Sequence, residues 1–238
     1  MNISELTKES LAGMLDYALV CHPEFTNDVY KKAMDDTIKY RFAAFAAPPC
    51  AVSYCVGRVK EYPEIKITTG ISLPFGNSTL DTKIYELEDL VSKGLSEVDM
   101  STNPALLLDG DYAAYEKEIR TICDRTHAHG MIFKAIIHSG FLTDEQVRTA
   151  VKIVAGCGAE FVKTEVGISN PGKPGLREVC LILDALAETG TSCGLKATAG
   201  RLGDVYAFIQ AGATRIGTNI GPEVVEMLPY IQSRKIFR

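Results

Sequence analysis

Eight short apolar runs, each followed by a longer amphipathic segment, predict an α/β chain folded as a (β/α)8 TIM barrel. The length of 238 residues suits that architecture. A doubly wound sheet is the alternative, but no G-x-G-x-x-G follows the first run. Nothing reads as a linker, a low-complexity stretch or a helical repeat. Residues 1–238 are therefore expected to form one barrel domain, with Ile3–Met14 as a short N-terminal helix lying over the barrel floor.

The expected strands are Leu15–Val20, Phe42–Ala47, Ile65–Leu73, Glu97–Ser101, Met131–His138, Glu160–Val166, Cys193–Thr198 and Thr214–Thr218. Each is short and rich in apolar residues, as strands buried on both faces are. Helical patterns fill the intervals: Asn27–Tyr40, Ser53–Glu61, Leu80–Lys93, Ala113–His129, Asp144–Gly156, Leu176–Glu188 and Asp204–Ala211, with Pro222–Ser233 last. Thr143-Asp-Glu-Gln146 has capping-box form, Asn27-Asp28 can cap the second helix, and Pro222 suits a first helical position. Gly94, Gly130, Gly156, Gly158, Gly190 and Gly212 fall where helices should stop.

A formal net charge of −5 argues against non-specific nucleic-acid binding, which needs a basic surface to displace counterions. No apolar run is long enough to span a bilayer and the N-terminus has no apolar signal region, so the chain is expected to be soluble and cytoplasmic. The seven cysteines show no paired metal spacing and read as buried, reduced thiols. The four histidines, His22, His127, His129 and His138, offer no ligand set. No metal or other cofactor is expected.

Polar residues inside apolar strands carry the chemistry. Lys163 lies among Phe161, Val162 and Val166, where burial disfavours an ammonium and favours the neutral amine that attacks a carbonyl. Lys134 and Lys196 occupy similar runs, as do Asp16 and Asp99. On a barrel these five gather near the carboxyl ends of the strands, although a structural ion-pair network would use the same residue types. Such a set suits Schiff-base chemistry, with a carboxylate and a second ammonium moving protons around the carbinolamine. Glycines at the ends of the last two strands, in Ala197-Thr-Ala-Gly-Arg201 and Arg215-Ile-Gly-Thr-Asn-Ile-Gly221, precede helix N-termini able to meet an anion. Gly200, Arg201, Gly217 and Asn219 are the candidates there.

Together Leu15-Asp16, Ser96-Glu-Val-Asp-Met100, Phe133-Lys-Ala-Ile-Ile137, Glu160-Phe-Val-Lys-Thr164, Gly194-Leu-Lys196 and Arg215-Ile-Gly217 resemble the deoxyribose-phosphate aldolase family across nearly the whole chain. The resemblance implies a class I aldolase that splits 2-deoxyribose 5-phosphate into glyceraldehyde 3-phosphate and acetaldehyde. It implies Lys163 as the Schiff-base lysine, Asp99 as the proton relay and Lys196 as the lysine that perturbs Lys163. Asp16, Lys134, Gly167, Gly200, Arg201, Gly217 and Asn219 would contact the sugar phosphate, and the chain would pair as a homodimer.

Several positions depart from the family's pattern. A Thr two residues after the first Asp is replaced in Asp16-Tyr17-Ala18, and Val-Cys-Val-Asn of the second strand becomes Phe45-Ala-Ala-Pro48. Ser-Thr-Gly after the lysine becomes Glu165-Val166-Gly167, Gly-Gly becomes Ala199-Gly200, and Asn219 stands where a Ser is usual. Strand alternation turns Glu165 to the same face as Lys163. A related Schiff-base aldolase with altered sugar-phosphate specificity, or a catalytically silent barrel used for binding, are the alternatives these changes leave open.

Overall fold

The computed structural model describes residues 2–20, 26–168 and 174–237. The first of the eight strands is β1 (Leu15–Ala18), followed by β2 (Ala44–Ala46), β3 (Lys66–Ile71), β4 (Glu97–Ser101), β5 (Ile132–Ile136), β6 (Phe161–Lys163), β7 (Gly194–Thr198) and β8 (Arg215–Thr218). They pair in sequence order, all parallel, and β8 returns to β1 to close the barrel. All eight expected strands are present, most of them shorter than the apolar runs that announced them.

Ten α-helices are described: α1 (Lys8–Ala12), α2 (Asn27–Tyr40), α3 (Val52–Arg58), α4 (Leu80–Ser92), α5 (Pro104–Leu108), α6 (Tyr112–Ala128), α7 (Asp144–Gly156), α8 (Leu176–Ala187), α9 (Leu202–Ala211) and α10 (Gly221–Ser233). The outer ring forms because each helix has one apolar face. In α7 the buried residues are Val147, Ala150, Val151, Val154 and Ala155, the three-and-four spacing of one stripe. Thr143 and Gln146 cap it reciprocally, at 3.3 Å and 2.9 Å.

Three expectations are corrected. Ile3–Met14 is not one helix: Thr7 and Ser10 form a capping box that starts α1 afresh after a 3-10 turn at Ile3–Glu5. The carbonyl of Ala12, at the end of α1, accepts from the Ala43 amide, and that of Met14 from Ile216 on β8. The cap of α2 is Thr26, whose hydroxyl accepts from the Val29 amide. Helix α7 ends at Gly156 as expected, and Gly158, with φ of 90°, turns the chain after it. Finally, Cys50 and Cys180 are exposed rather than buried; Cys55, Cys123 and Cys157 are buried. Cys21 and His22 lie outside the described residues. The sequence reading also passed over α5, which Asn103 caps ahead of Pro104.

A buried ion pair locks the β3–α4 connection to the end of β4. Lys83 on α4 donates to Glu118 on α6 at 2.6 Å and to the carbonyls of Gly76 and Ser101. Burial pulls this lysine below its ordinary pKa, opposed by Glu118. Gly76, with φ of 75°, packs so closely that a Cβ there would lie 1.9 Å from the Thr102 carbonyl oxygen. Gly76→Ala should therefore cost about 2 kcal/mol or more, from backbone strain and overpacking together. Urea denaturation measures it; a variant as stable as the parent would show that the loop tolerates the shift.

Candidate active site

Strand register brings the predicted charges together. Asp99 is paired with Lys134 across β4 and β5, Lys163 with Lys196 across β6 and β7, and Lys196 with Arg215 across β7 and β8. Asp99 stands at the centre. Its Oδ2 accepts from Lys163 and from Lys196, each at 2.7 Å, while its Oδ1 accepts from Lys134 at 2.9 Å and from the Thr68 hydroxyl at 3.2 Å. Burial alone would push the carboxyl pKa up, but the three lysines outweigh it and hold Asp99 well below the usual range.

The lysines differ in how they are held. Lys134 is fully buried, and Asp99, Glu97 and Asp16 overcome the cost of burial to keep it above the ordinary lysine range. Lys196 is also buried, yet burial, reinforced by Lys134 and Lys163, outweighs Asp16 and Asp99 and lowers it to about 8. It therefore sits near the boundary between ammonium and amine at neutral to mildly basic pH. Lys163 is the most accessible of the three, with 13% of its side chain exposed against 0% and 1% for the others.

That exposure opens into a cavity of about 330 Å³ at the carboxyl ends of the strands. Asp99, Lys163 and Lys196 line it, together with Gly167, Gly200, Gly217 and Asn219. Two candidates instead lie beneath its floor. Asp16 and Lys134 are fully buried among the other charges and are not lining residues. Arg201 is exposed at the start of α9, likewise off the cavity wall.

Glu165 is buried and lines the same cavity. The strand ends at Lys163, earlier than the apolar run suggested, so strand alternation is not what orients it. Instead Thr198 holds the segment against β7: its amide donates to the Thr164 hydroxyl at 3.1 Å and its hydroxyl to the Glu165 carbonyl at 2.7 Å.

Three residues were not singled out as site candidates from sequence. Arg215 donates to Asp16 at 3.0 Å and to Glu97 at 3.1 Å, and Glu97 contacts Lys134 at 2.5 Å. Their signal was available, since both are charges inside the strands that supplied the other candidates. His138 follows β5 with a φ of 56° and is buried; burial first, then Lys163 and Lys83, lower its pKa to about 4. Among the described residues, no group of three or more His, Cys, Asp or Glu side chains could hold a metal, and no helix is long and apolar enough to cross a membrane.

A parallel barrel whose cavity is lined by two lysines bound to one carboxylate oxygen has the groups that imine chemistry uses. The relatives narrow that chemistry. The chain is 34% identical over 220 residues to a deoxyribose-phosphate aldolase of Thermoanaerobacter sp. (strain X514), covering 91% of this chain and 96% of that one. It is 33% identical over 226 residues to a deoxyribose-phosphate aldolase of Bacteroides thetaiotaomicron, covering 94% and 92%. This chain belongs to the deoxyribose-phosphate aldolase family.

Solved structures share the fold. One from Coccidioides immitis, described as a candidate deoxyribose-phosphate aldolase, has a TM-score of 0.87 at 23% identity, covering 96% of this chain and 90% of that one. The tetrameric deoxyribose phosphate aldolase of Aeropyrum pernix has a TM-score of 0.85 at 22% identity, covering 94% and 93%. No protein-family model matches the chain.

The low Lys196 pKa is directly measurable. In protein carrying 13Cε-lysine, one lysine resonance should titrate with a midpoint at about 8, ammonium below and amine above, and Lys196→Met should abolish it. A spectrum in which no lysine titrates below about 10 would remove the basis for this assignment.

Proposed function

We propose that the chain cleaves 2-deoxy-D-ribose 5-phosphate to D-glyceraldehyde 3-phosphate and acetaldehyde through a Schiff base on Lys163. The observation that carries this reading is the 2.7 Å contact of both Lys163 and Lys196 with one oxygen of Asp99, at the floor of a cavity. Lys163 adds to the substrate carbonyl. Asp99 and Lys196 pass the protons needed to lose water, and the iminium draws the electron pair of the breaking carbon–carbon bond. Asp16 and Lys134 act from below by holding Lys196 and Asp99. The phosphate meets the backbone at Gly200, Gly217 and Asn219, near the N-terminal ends of α9 and α10. The whole chain works as one barrel domain in the cytoplasm, and pairs as a homodimer by family resemblance. Light scattering would separate that state from the tetramer described for the Aeropyrum pernix protein.

Borohydride reduction in the presence of acetaldehyde should attach the substrate carbons to Lys163, as located by peptide mass mapping. Label on another lysine, or none, rules the mechanism out. Replacing Asp99 by Asn should slow turnover by about 10² to 10⁴, the usual worth of a positioned proton-transfer group.

Glu165 favours a second reading, in which the Schiff base is kept and the sugar-phosphate preference altered. A carboxyl group buried in the cavity wall disfavours an anion placed beside it. Glu165→Gln should raise kcat/KM for phosphorylated substrates over plain sugars by about tenfold or more. A ratio that stays within about threefold removes Glu165 from substrate selection.

A further inference from the structure

The buried charges of the barrel close on themselves. Asp99 contacts Lys196 at 2.7 Å, Lys196 reaches Asp16 at 2.5 Å, and Asp16 accepts from Arg215 at 3.0 Å. The other arm of Arg215 donates to Glu97 at 3.1 Å, Glu97 meets Lys134 at 2.5 Å, and Lys134 returns to Asp99 at 2.9 Å. Three acids alternate with three bases in a ring of zero net charge. Lys163 hangs from it through Asp99 as a seventh, surplus cation.

We propose that Arg215 and Glu97 are positioning residues for the reaction: by bridging Asp16 to Glu97, Arg215 closes the ring and fixes how Lys196 and Lys134 hold Asp99. The proposal rests on the Schiff-base reading above. Neither residue lines the cavity, so neither touches substrate. Arg215 spans carboxylates on two different strands, β1 and β4, with a separate nitrogen for each, a planar fork whose spacing and direction a lysine at this position does not reproduce. The guanidinium also lies 5.4 Å from the Phe161 ring, on the strand that carries Lys163. Without the bridge, Asp16 and Glu97 are free to draw Lys196 and Lys134 away from Asp99, and the oxygen offered to Lys163 loses its fixed direction.

The ring also makes a signed prediction for pH. Lys196 contacts Asp16 from β1 and Asp99 from β4, with Lys134 of β5, Lys163 of β6 and Arg215 of β8 around it; Thr68 of β3 connects to it through Asp99 and Lys134, and Glu97 of β4 through Lys134 and Arg215. Glu165 and His138 stand just beyond the ends of β6 and β5. From β2 come only Ala44, Phe45 and Ala46, and Lys66 of β3 bonds outward to the Pro63 carbonyl. Removing the Arg215 cation favours the ammonium of Lys196, whereas removing the Glu97 anion disfavours it.

The test follows the rate of acetaldehyde trapping on Lys163 by borohydride between about pH 6 and 10, in the parent and in Arg215→Met, Arg215→Lys and Glu97→Gln. Trapping in the parent decides the Schiff-base reading first; without label on Lys163 that reading fails and this proposal falls with it. With label present, Arg215→Met and Glu97→Gln should each trap about 10 to 100 times more slowly. Their pH midpoints should move in opposite directions, up in the first and down in the second, by at least about half a pH unit. Arg215→Lys restores the charge but not the fork, so it should recover the midpoint and not the rate. If Arg215→Met does not fold, the size-preserving Glu97→Gln carries the same decision. Folded variants that trap at the parent rate with unmoved midpoints, or midpoints that move the same way, overturn the proposal.

Discussion

The two oxygens of Asp99 serve four donors, three of them lysines, at the centre of a closed barrel. An isolated carboxylate in that place would be expensive, and so would any of the lysines alone. Together they are tolerated, provided that every partner is held at contact distance. The fold meets this condition through register. Pairing Asp99 with Lys134, and Lys163 with Lys196, puts the charges side by side without bending any strand. Small residues lie next to them where space is short, Gly70 beside Asp99 and Gly217 beside Asp16. A Cβ at Gly217 would lie 3.4 Å from Cε of Lys196, in van der Waals contact with the lysine stem.

This dependence explains what could be read from the sequence. Strand and helix order was legible because buried parallel strands and amphipathic helices have different apolar periods, as in α7. The five charged residues within strands were legible for a related reason, since a charge in an apolar run needs a partner. Depth was not. Asp16 and Lys134 look like Asp99 and Lys163 in one dimension, and only strand stagger puts the first two below the cavity and the other two on its wall. Glu97 and Arg215 were passed over in the same way, although they stand two residues before Asp99 and two before Gly217. The placement of Glu165 depends on the Thr198 hydroxyl, a contact from β7 to the segment after β6 that no local pattern encodes.

Reaction centre and recognition wall follow different constraints. At the centre each charge of the ring is held by two or more others, and Lys163 by Asp99, so changing one unbalances its neighbours. Along the wall, Gly167, Gly200 and Asn219 present backbone or short side chains to the cavity, and substitutions there change its shape without unpairing a buried charge. The chain's departures from the family pattern fall on the wall and at the strand ends, including Glu165 and Ala199. The residues of the ionic centre are the ones that carry the resemblance.

Stability alone is a poor reason to bury seven ionisable groups, because well-packed apolar residues often serve a core as well. The charge count points to turnover instead. With Lys163 as the surplus cation on a neutral ring, Asp99 faces a positive group before reaction. On the proposed chemistry an iminium at the same nitrogen is also positive, so Asp99 keeps a cationic partner when the covalent intermediate forms. The costly interval lies between these states, when the amine must be neutral to attack and a proton must be stored nearby. Lys196, lowered to about 8 and bound to the same oxygen of Asp99, is suited to take up or release that proton with little change in the charge of the barrel.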